Sequence, residues 1–300
     1  MTNKITIVGD VHIGNQVRSR KDDYFETCLL KLREIFSKST NVIFLGDLFN
    51  TPTLELYKIQ RVATLFLEFS HVNKYAIIGN HDVYNMNIQT LDRTALGLLS
   101  YFGLRILTPD DNGIEICGKT FDTLPLRFDD ITDDATRTSD ILLGHHFFCL
   151  PCEDSLQTQY FHKSSYKAIF LGHDHKEYEP QDKVYRPGSL LRNAATEYNF
   201  SRKPCYLVLN EDFTVDRFDL TIAQNASEVF TDESFNQDAW RKRVFVEQID
   251  TLINKYSGQL KVADKQSNYS LLEAFKELKP PKKCYNYLKS VYNVMGLNLT

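Results

Sequence analysis

Apolar positions near the N-terminus fall into short unbroken runs, and each run ends in glycine followed by a polar residue. Lys4–Val8 leads into Gly9-Asp10, Asn41–Leu45 into Gly46-Asp47, and Tyr75–Ile78 into Gly79-Asn80. Short apolar runs bounded in this way read as strands buried on both faces. Between them the spacing changes. In Asp23–Ser37, the residues Phe25, Leu29, Leu32 and Phe36 recur at helical steps, and Leu54–Phe69 predicts a second amphipathic helix. This βαβαβ alternation predicts a mainly parallel sheet with helices outside it. Ligands collect at the carboxyl ends of such strands, where Gly9-Asp10, Gly46-Asp47 and Gly79-Asn80 all lie.

Further along, Ile114–Phe121 with Cys117-Gly118 predicts a hairpin, and Phe128–Asp134 an acidic loop. Ile141–Leu143 and Ala168–Leu171 are apolar strands leading to His145 and His173. Cys205–Leu209 and Val215–Leu220 predict a closing hairpin around Asn210-Glu211-Asp212. A second, more antiparallel sheet packed on the first is expected from this region. Beyond residue 225 the pattern becomes helical: Ser234 to Tyr256, then Ser270–Leu278, a break at Pro280-Pro281, and Cys284–Met295. The expected division is a main domain over 1–225 and a small helical C-terminal extension over 226–300.

Composition changes this picture little. At 300 residues and 42% apolar, the chain can bury a real core. No apolar run approaches the ~20 residues of a membrane helix, and the N-terminus carries no signal-peptide h-region, so no membrane partner and a cytoplasmic location are expected, in a bacterial cell or a virus-infected host. The net charge of −4 speaks weakly against nucleic acid, but bound divalent cations would reverse the local field. Of six cysteines, Cys28, Cys117 and Cys205 fall in helical or strand-like runs and read as small core residues. Cys149-Leu150-Pro151-Cys152 has C-x-x-C spacing but follows a strand end in a loop, with no second pair to complete a zinc site.

The chemistry lies at the strand ends. Asp10-Val11-His12, Gly46-Asp47, Asn80-His81-Asp82, Gly144-His145-His146 and His173-Asp174-His175 follow in order, each after an apolar run. Aspartate, asparagine and histidine together suit manganese, iron, zinc or magnesium. On extended chain the i, i+2 spacing of Asp10 and His12 points both side chains one way, and His173 and His175 repeat it. Asp47 has two carboxylate oxygens and can bridge two ions. The glycines that precede the ligands allow sharp turns there.

These five blocks resemble the D-x-H, G-D, G-N-H-[DE], H and G-H-x-H pattern of the calcineurin-like metallophosphoesterase superfamily, over roughly residues 4–220. The resemblance implies a four-layer α/β/β/α sandwich and a two-metal phosphoesterase. It implies that Asp10, His12, Asp47 and His175 hold one ion, and Asp47, Asn80, His145 and His173 the other, with His145 preferred to His146. His81 would polarise the phosphate or protonate the leaving oxygen, and Asp82 would orient His81. The ions are expected to be manganese, with magnesium, iron or zinc as alternatives.

Within the superfamily, Asp10-Val11-His12-Ile13-Gly14 and Gly46-Asp47-Leu48-Phe49 resemble SbcD-type DNA repair nucleases. Tyr185-Arg186-Pro187-Gly188-Ser189 resembles their P-G-S turn, and GHHFF at 144–148 the fourth block of phage recombination nucleases. Asn50 stands where those nucleases carry His or Asp, and is read as a substrate contact. The resemblance implies DNA as substrate and an SbcC-like SMC-type ATPase as partner through the C-terminal segment. That segment, residues 266–300, carries five lysines and four interleaved tyrosines. A homodimer is left open. The alternatives are a small-molecule phosphodiesterase or pyrophosphatase of the same superfamily, and a non-catalytic scaffold that has lost its metals.

Overall fold

The computed structural model describes residues 4–124, 126, 139–146, 165–181 and 183–231. The chain divides into two compact units, 1–235 and 236–300. The acidic loop, the C-x-x-C segment and the helices expected beyond Ser234 lie outside the described residues.

The first sheet begins as expected. β1 (Ile5–Val8), β2 (Asn41–Phe44) and β3 (Asn73–Ile77) are parallel neighbours, linked by helices α1 (Tyr24–Ser37) and α2 (Leu56–Glu68). Alternation sorts the side chains. Val8, Val42, Phe44 and Ala76 face the helices, while Ile5, Ile7, Ile43, Leu45 and Ile77 face the second sheet. α1 starts where Asp23 Oδ1 accepts the Glu26 N–H at 3.0 Å, a side-chain cap on an otherwise orphaned donor. Its stripe of Phe25, Cys28, Leu32, Ile35 and Phe36 packs against Phe44 and against Phe66 of α2, where Phe36 and Phe66 meet edge to face at 5.4 Å.

One strand was not legible in the apolar pattern. β4 (Leu104–Leu107) adds in parallel to β3, after a short helix Ala95–Leu99 and a left-handed Gly103. It is an edge strand, and its exposed Arg105 breaks the apolar run.

The second sheet contains β5 (Ile114–Ile116), β6 (Lys119–Thr123), β7 (Ile141–His145), β8 (Ala168–Gly172), β9 (Tyr178–Gln181) and β10 (Val184–Arg186), in the order β5-β6-β7-β8-β10-β9. The predicted hairpin is β5–β6, turning on Cys117 and Gly118, both with positive φ as a two-residue turn requires. Cys117 is therefore a partly exposed turn residue, while Cys28 and Cys205 are buried. The expectation of a more antiparallel sheet is corrected. β6, β7, β8 and β10 are parallel, and only the edge strands β5 and β9 run against them. More than a dozen residues separate β6 from β7 and β7 from β8, enough for parallel crossovers.

The closing hairpin forms as β11 (Cys205–Leu209) and β12 (Val215–Asp219), and β11 pairs antiparallel with β1. It extends the first sheet to the order β12-β11-β1-β2-β3-β4. Between the sheets, Ile5, Ile7, Ile43 and Leu45 meet Phe121, Ile141, Leu143 and Phe170. The result is a mixed α/β fold with a helix layer outside the first of two parallel-rich sheets. Residues beyond 225 still pack into this unit: Ala226, Val229 and Phe230 bury against Ala195. No helix among the described residues is long and apolar enough to cross a membrane.

Candidate metal centre

Parallel pairing brings the carboxyl ends of β1, β2, β3, β7 and β8 to one edge of the two sheets, and each end delivers one motif. Three groups of donor atoms converge there: Asp10, His12 and His175; His12, Asp47 and His81; and Asp47, His145 and His173. Within each group the ligand atoms lie within 4.8 Å of one another. Asp47 and His12 each belong to two groups, so the clusters are continuous.

The backbone achieves this convergence differently from the sequence expectation. Asp10–His12 is not extended chain. Val11 and His12 both donate to Asp47 O, at 3.1 and 2.9 Å, and His12 is left-handed with φ 55°. His173 is also left-handed, at φ 83°, so His173 and His175 do not point one way but serve different groups. The positive φ values fall on the ligands His12, Asp47 and His173 themselves, a cost the surrounding hydrogen bonds must hold in place. Of the preceding glycines, Gly46 is left-handed at φ 84°. Gly9 is required for close approach instead, since a Cβ there would collide with Gly188 O.

His145 is fully enclosed, and its Nδ1 donates to Leu45 O at 2.7 Å. That bond keeps a proton on Nδ1 and turns Nε2 into the site, where a metal would displace the proton it shares with Asp47. Around Nε2 stand Asn80 Oδ1 at 3.1 Å, His173 Nδ1 at 3.3 Å and Asp47 Oδ2 at 3.3 Å. Asn80 Oδ1 is also 2.9 Å from His173 Nδ1. Two imidazoles, an amide oxygen and a carboxylate whose ligand atoms crowd together in this way form a donor set that fits a divalent metal, which would replace the ring protons they now share. On the other side His12 Nε2 and His175 Nε2 face each other at 2.8 Å, with Asp10 in the same group. His12 Nδ1 is buried with no hydrogen-bond partner. His146 is buried and belongs to none of the three groups.

Electrostatics points the same way. Burial pushes the Asp10 carboxyl up to about 7, with Asp47 and Asp82 adding to the rise and His145 opposing it. Burial pushes the His12 imidazole down to about 3. His145 is penalised by burial too, but Asp47 and Asp10 outweigh this and hold it up at about 9. Three carboxylates, those of Asp10, Asp47 and Asp82, are each no more than 2% exposed. Divalent cations would relieve this repulsion, and proton release on metal binding follows from it.

His81 is exposed at the mouth of the site, edge-on to His12 with ring centroids 5.0 Å apart. Its Nδ1 donates to Asn50 O at 2.8 Å, which leaves Nε2 free. The expected role of Asp82 is corrected here. Its carboxylate accepts from Phe49 N at 3.0 Å and Gly79 N at 2.9 Å, so it staples the two motif loops together and does not touch the His81 ring. Chain adjacency of His81 and Asp82 suggested contact, but the buried Asp82 side chain turns inward while the His81 ring faces solvent. The group that orients His81 is the Asn50 carbonyl, while the Asn50 side chain is exposed and packs beside Gly14.

The calcineurin-like phosphoesterase model matches residues 3–177, more than half of the chain and every ligand named above. The chain belongs to the calcineurin-like phosphoesterase family. The family makes it a metal-dependent phosphoester hydrolase, and the Asp/His clusters fit a dinuclear divalent-metal site. No curated protein matches the chain. Among 81 matching chains of solved structures is the Thermotoga maritima protein TM1076, solved by solution NMR. It is 15% identical, with a TM-score of 0.32, and the match covers 72% of this chain and 97% of that one.

Sequence reasoning missed the groups that support the ligands. The Leu45 carbonyl behind His145 is one. Another is the segment after Pro187-Gly188, where Ser189 N donates to His175 O at 3.1 Å and Leu190 N to Asp10 O at 2.8 Å. The P-G-S motif marked this segment, though not its purpose. Tyr24 is a third: its hydroxyl lies 3.0 Å from His12 O and 2.9 Å from Asn193 Oδ1.

Proposed function

We propose that this chain is a two-metal phosphodiesterase that cleaves DNA, as SbcD-type nucleases do. The observation that carries the two-metal part is the position of Asp47. One buried carboxylate is shared between a group with His12 and a group with His145 and His173. Asp10, His12, Asp47 and His175 would hold one ion, and Asp47, Asn80, His145 and His173 the other. Two such ions, manganese in the first instance, would supply activated water and charge stabilisation at phosphate and leaving oxygen.

The protein groups do the rest. His145, anchored by its Nδ1 hydrogen bond to Leu45 O, would offer Nε2 to an ion in exchange for its second proton. His81, anchored through Nδ1, presents Nε2 at the exposed mouth, where it can stabilise charge on the phosphate or give a proton to the leaving oxygen. Asp82 fixes the backbone that carries Asp47 and Asn80. The exposed Asn50 side chain would contact an extended substrate.

Support for DNA comes from the D-x-H-I-G, G-D-L-F, GHHFF and P-G-S fragments. An SMC-type ATPase or DNA contact through residues 266–300 belongs to the same reading, and that segment lies outside the described residues. The test is hydrolysis of labelled single- and double-stranded DNA with Mn²⁺, beside bis-p-nitrophenyl phosphate. Cleavage of DNA at efficiencies well above the small diester supports the nuclease reading. Turnover of the small diester with inert DNA would replace it by a small-molecule phosphodiesterase.

A further inference from the structure

Four basic side chains are buried together behind the metal centre: Arg20, Lys31, Arg192 and Arg202, each at most 7% exposed. Among the described residues only one carboxylate, Asp22, is hydrogen-bonded to any of them, through Arg20. Desolvating several cations with so little compensation is costly. Burial, then the neighbouring Arg20, Arg192 and Arg202, hold Lys31 well below its ordinary pKa. A fold needs a reason to keep such a cluster.

Three of them, Arg20, Lys31 and Arg202, donate to one target, while Arg192 donates to Gln224 O and Arg202 O. The carbonyls of four consecutive residues, 189 to 192, each accept from one of these cations. Arg202 Nη1 donates to Ser189 O at 2.7 Å, and Lys31 Nζ to Leu190 O at 3.0 Å. Arg202 Nη2 donates to Leu191 O at 2.7 Å and to Ser189 Oγ at 2.9 Å. Arg20 Nη1 donates to Arg192 O at 3.0 Å. Arg202 Nε is anchored on Asn199 Oδ1 at 2.7 Å, and Arg192 Nη2 on Arg202 O at 2.8 Å. A buried irregular segment must find donors for its carbonyls, and here Arg20 ahead of α1, Lys31 on α1 and Arg202 just after the short helix Glu197–Ser201 supply them.

The amide side of the same segment faces the metal centre. Leu190 N holds Asp10 O, and Ser189 N holds His175 O. Gly188 O fills the space a Cβ on Gly9 would need. We propose that Arg202 and Lys31 are positioning residues for the metal centre, acting through the 189–192 segment to set Asp10 and His175. Arg202 is the principal one, because its planar fork binds two carbonyls and a hydroxyl at once, which a lysine cannot do. This inference rests on the two-metal reading above and concerns the ion held by Asp10, His12 and His175.

The experiment measures Mn²⁺ affinity by calorimetry and global stability by urea unfolding, for the full chain and three variants. Arg202→Lys and Lys31→Met test the clamp, and Phe66→Ala, in the core between the helices and the first sheet, controls for general destabilisation. The expected result is that Arg202→Lys and Lys31→Met stay folded and lose affinity for one of two ions, by about 10–100-fold as for other supports of metal ligands. Phe66→Ala should lose stability and keep both affinities. Folded clamp variants that bind both ions as the wild type does would overturn the proposal. So would loss of fold in both, or an equal loss of affinity in Phe66→Ala, since the cluster would then be ordinary core. A wild-type chain that binds no Mn²⁺ would instead bring down the two-metal reading itself.

Discussion

On one side of Asp47, His145 and His173 sit at the ends of two paired strands, where His145 is in register with Gly172 and is pinned by Leu45 O of the other sheet. On the other side, Asp10 and His175 are held by the 189–192 segment, and His12 by Tyr24 and a left-handed turn. The first half inherits most of its geometry from sheet pairing, completed by left-handed turns at Asp47 and His173 and by the Asp10 carboxylate accepting from His173 N. The second depends on side chains recruited from distant parts of the chain. A two-ion site built this way has one half as rigid as the fold and one half only as rigid as its clamp.

The largest separable effect is expected from His81, which stands apart from both halves. His81→Ala should lower kcat by about 10²–10³-fold, as for loss of one charge-stabilising donor, with both ions still bound. A rise in KM at constant kcat would make His81 a substrate-binding residue instead.

Gly9→Ala sharpens the comparison directly. The added methyl collides with Gly188 O and pushes the loop from Asp10, at a cost of about 1–3 kcal/mol in stability. The ion of the Asp10 half should weaken, while the ion of the His145 half keeps its affinity. Equal weakening of both would show that the halves are not independent.

A smaller effect is expected at Asn50. Asn50→Ala removes the exposed amide but keeps the backbone carbonyl that orients His81. DNA cleavage should fall several-fold while hydrolysis of a small diester is spared. Loss on both substrates alike would assign the side chain to the centre itself.

Least is expected from Glu34, which ties the chain near Gln224 to α1. Its carboxylate accepts from Thr221 N and Ile222 N, both at 2.9 Å, and from Lys38 Nζ at 2.6 Å. These partners outweigh burial and lower its pKa from 4.5 to about 2. The contribution to stability is complete above the unfolded value of 4.5 and is lost as pH falls towards 2. Glu34→Gln should therefore cost about 1 kcal/mol at neutral pH and little at pH 2, read from urea unfolding at both. An equal cost at both values would mean that the charge is irrelevant.

The sheet-built half was the more legible in sequence. An apolar run ending in Gly-Asp or Gly-His places its ligand at a strand end, and parallel pairing then gathers Asp47, Asn80, His145 and His173, although the left-handed turns at Asp47 and His173 were not legible. The clamp was not legible. Lys31 falls on the helical face that also carries Cys28, Leu32 and Ile35, and a lysine in a helix reads as solvated unless its acceptor is known. That acceptor, Leu190 O, lies far along the chain. Asp82 was misread because adjacency in sequence says nothing about which way a side chain turns. The hidden β4 and the parallel character of the second sheet depend on crossovers that apolar patterning does not encode.

The bridging role of Asp47 is decided by the number of Mn²⁺ ions bound to wild type and to Asp47→Asn, from calorimetry with electron paramagnetic resonance to detect coupling between ions. Two coupled ions are expected in the wild type. In the folded variant the coupling and one or both ions should be lost, with a fall in turnover beyond the about 10–100-fold of an indirect support. Two coupled ions and normal turnover in Asp47→Asn would rule the bridge out.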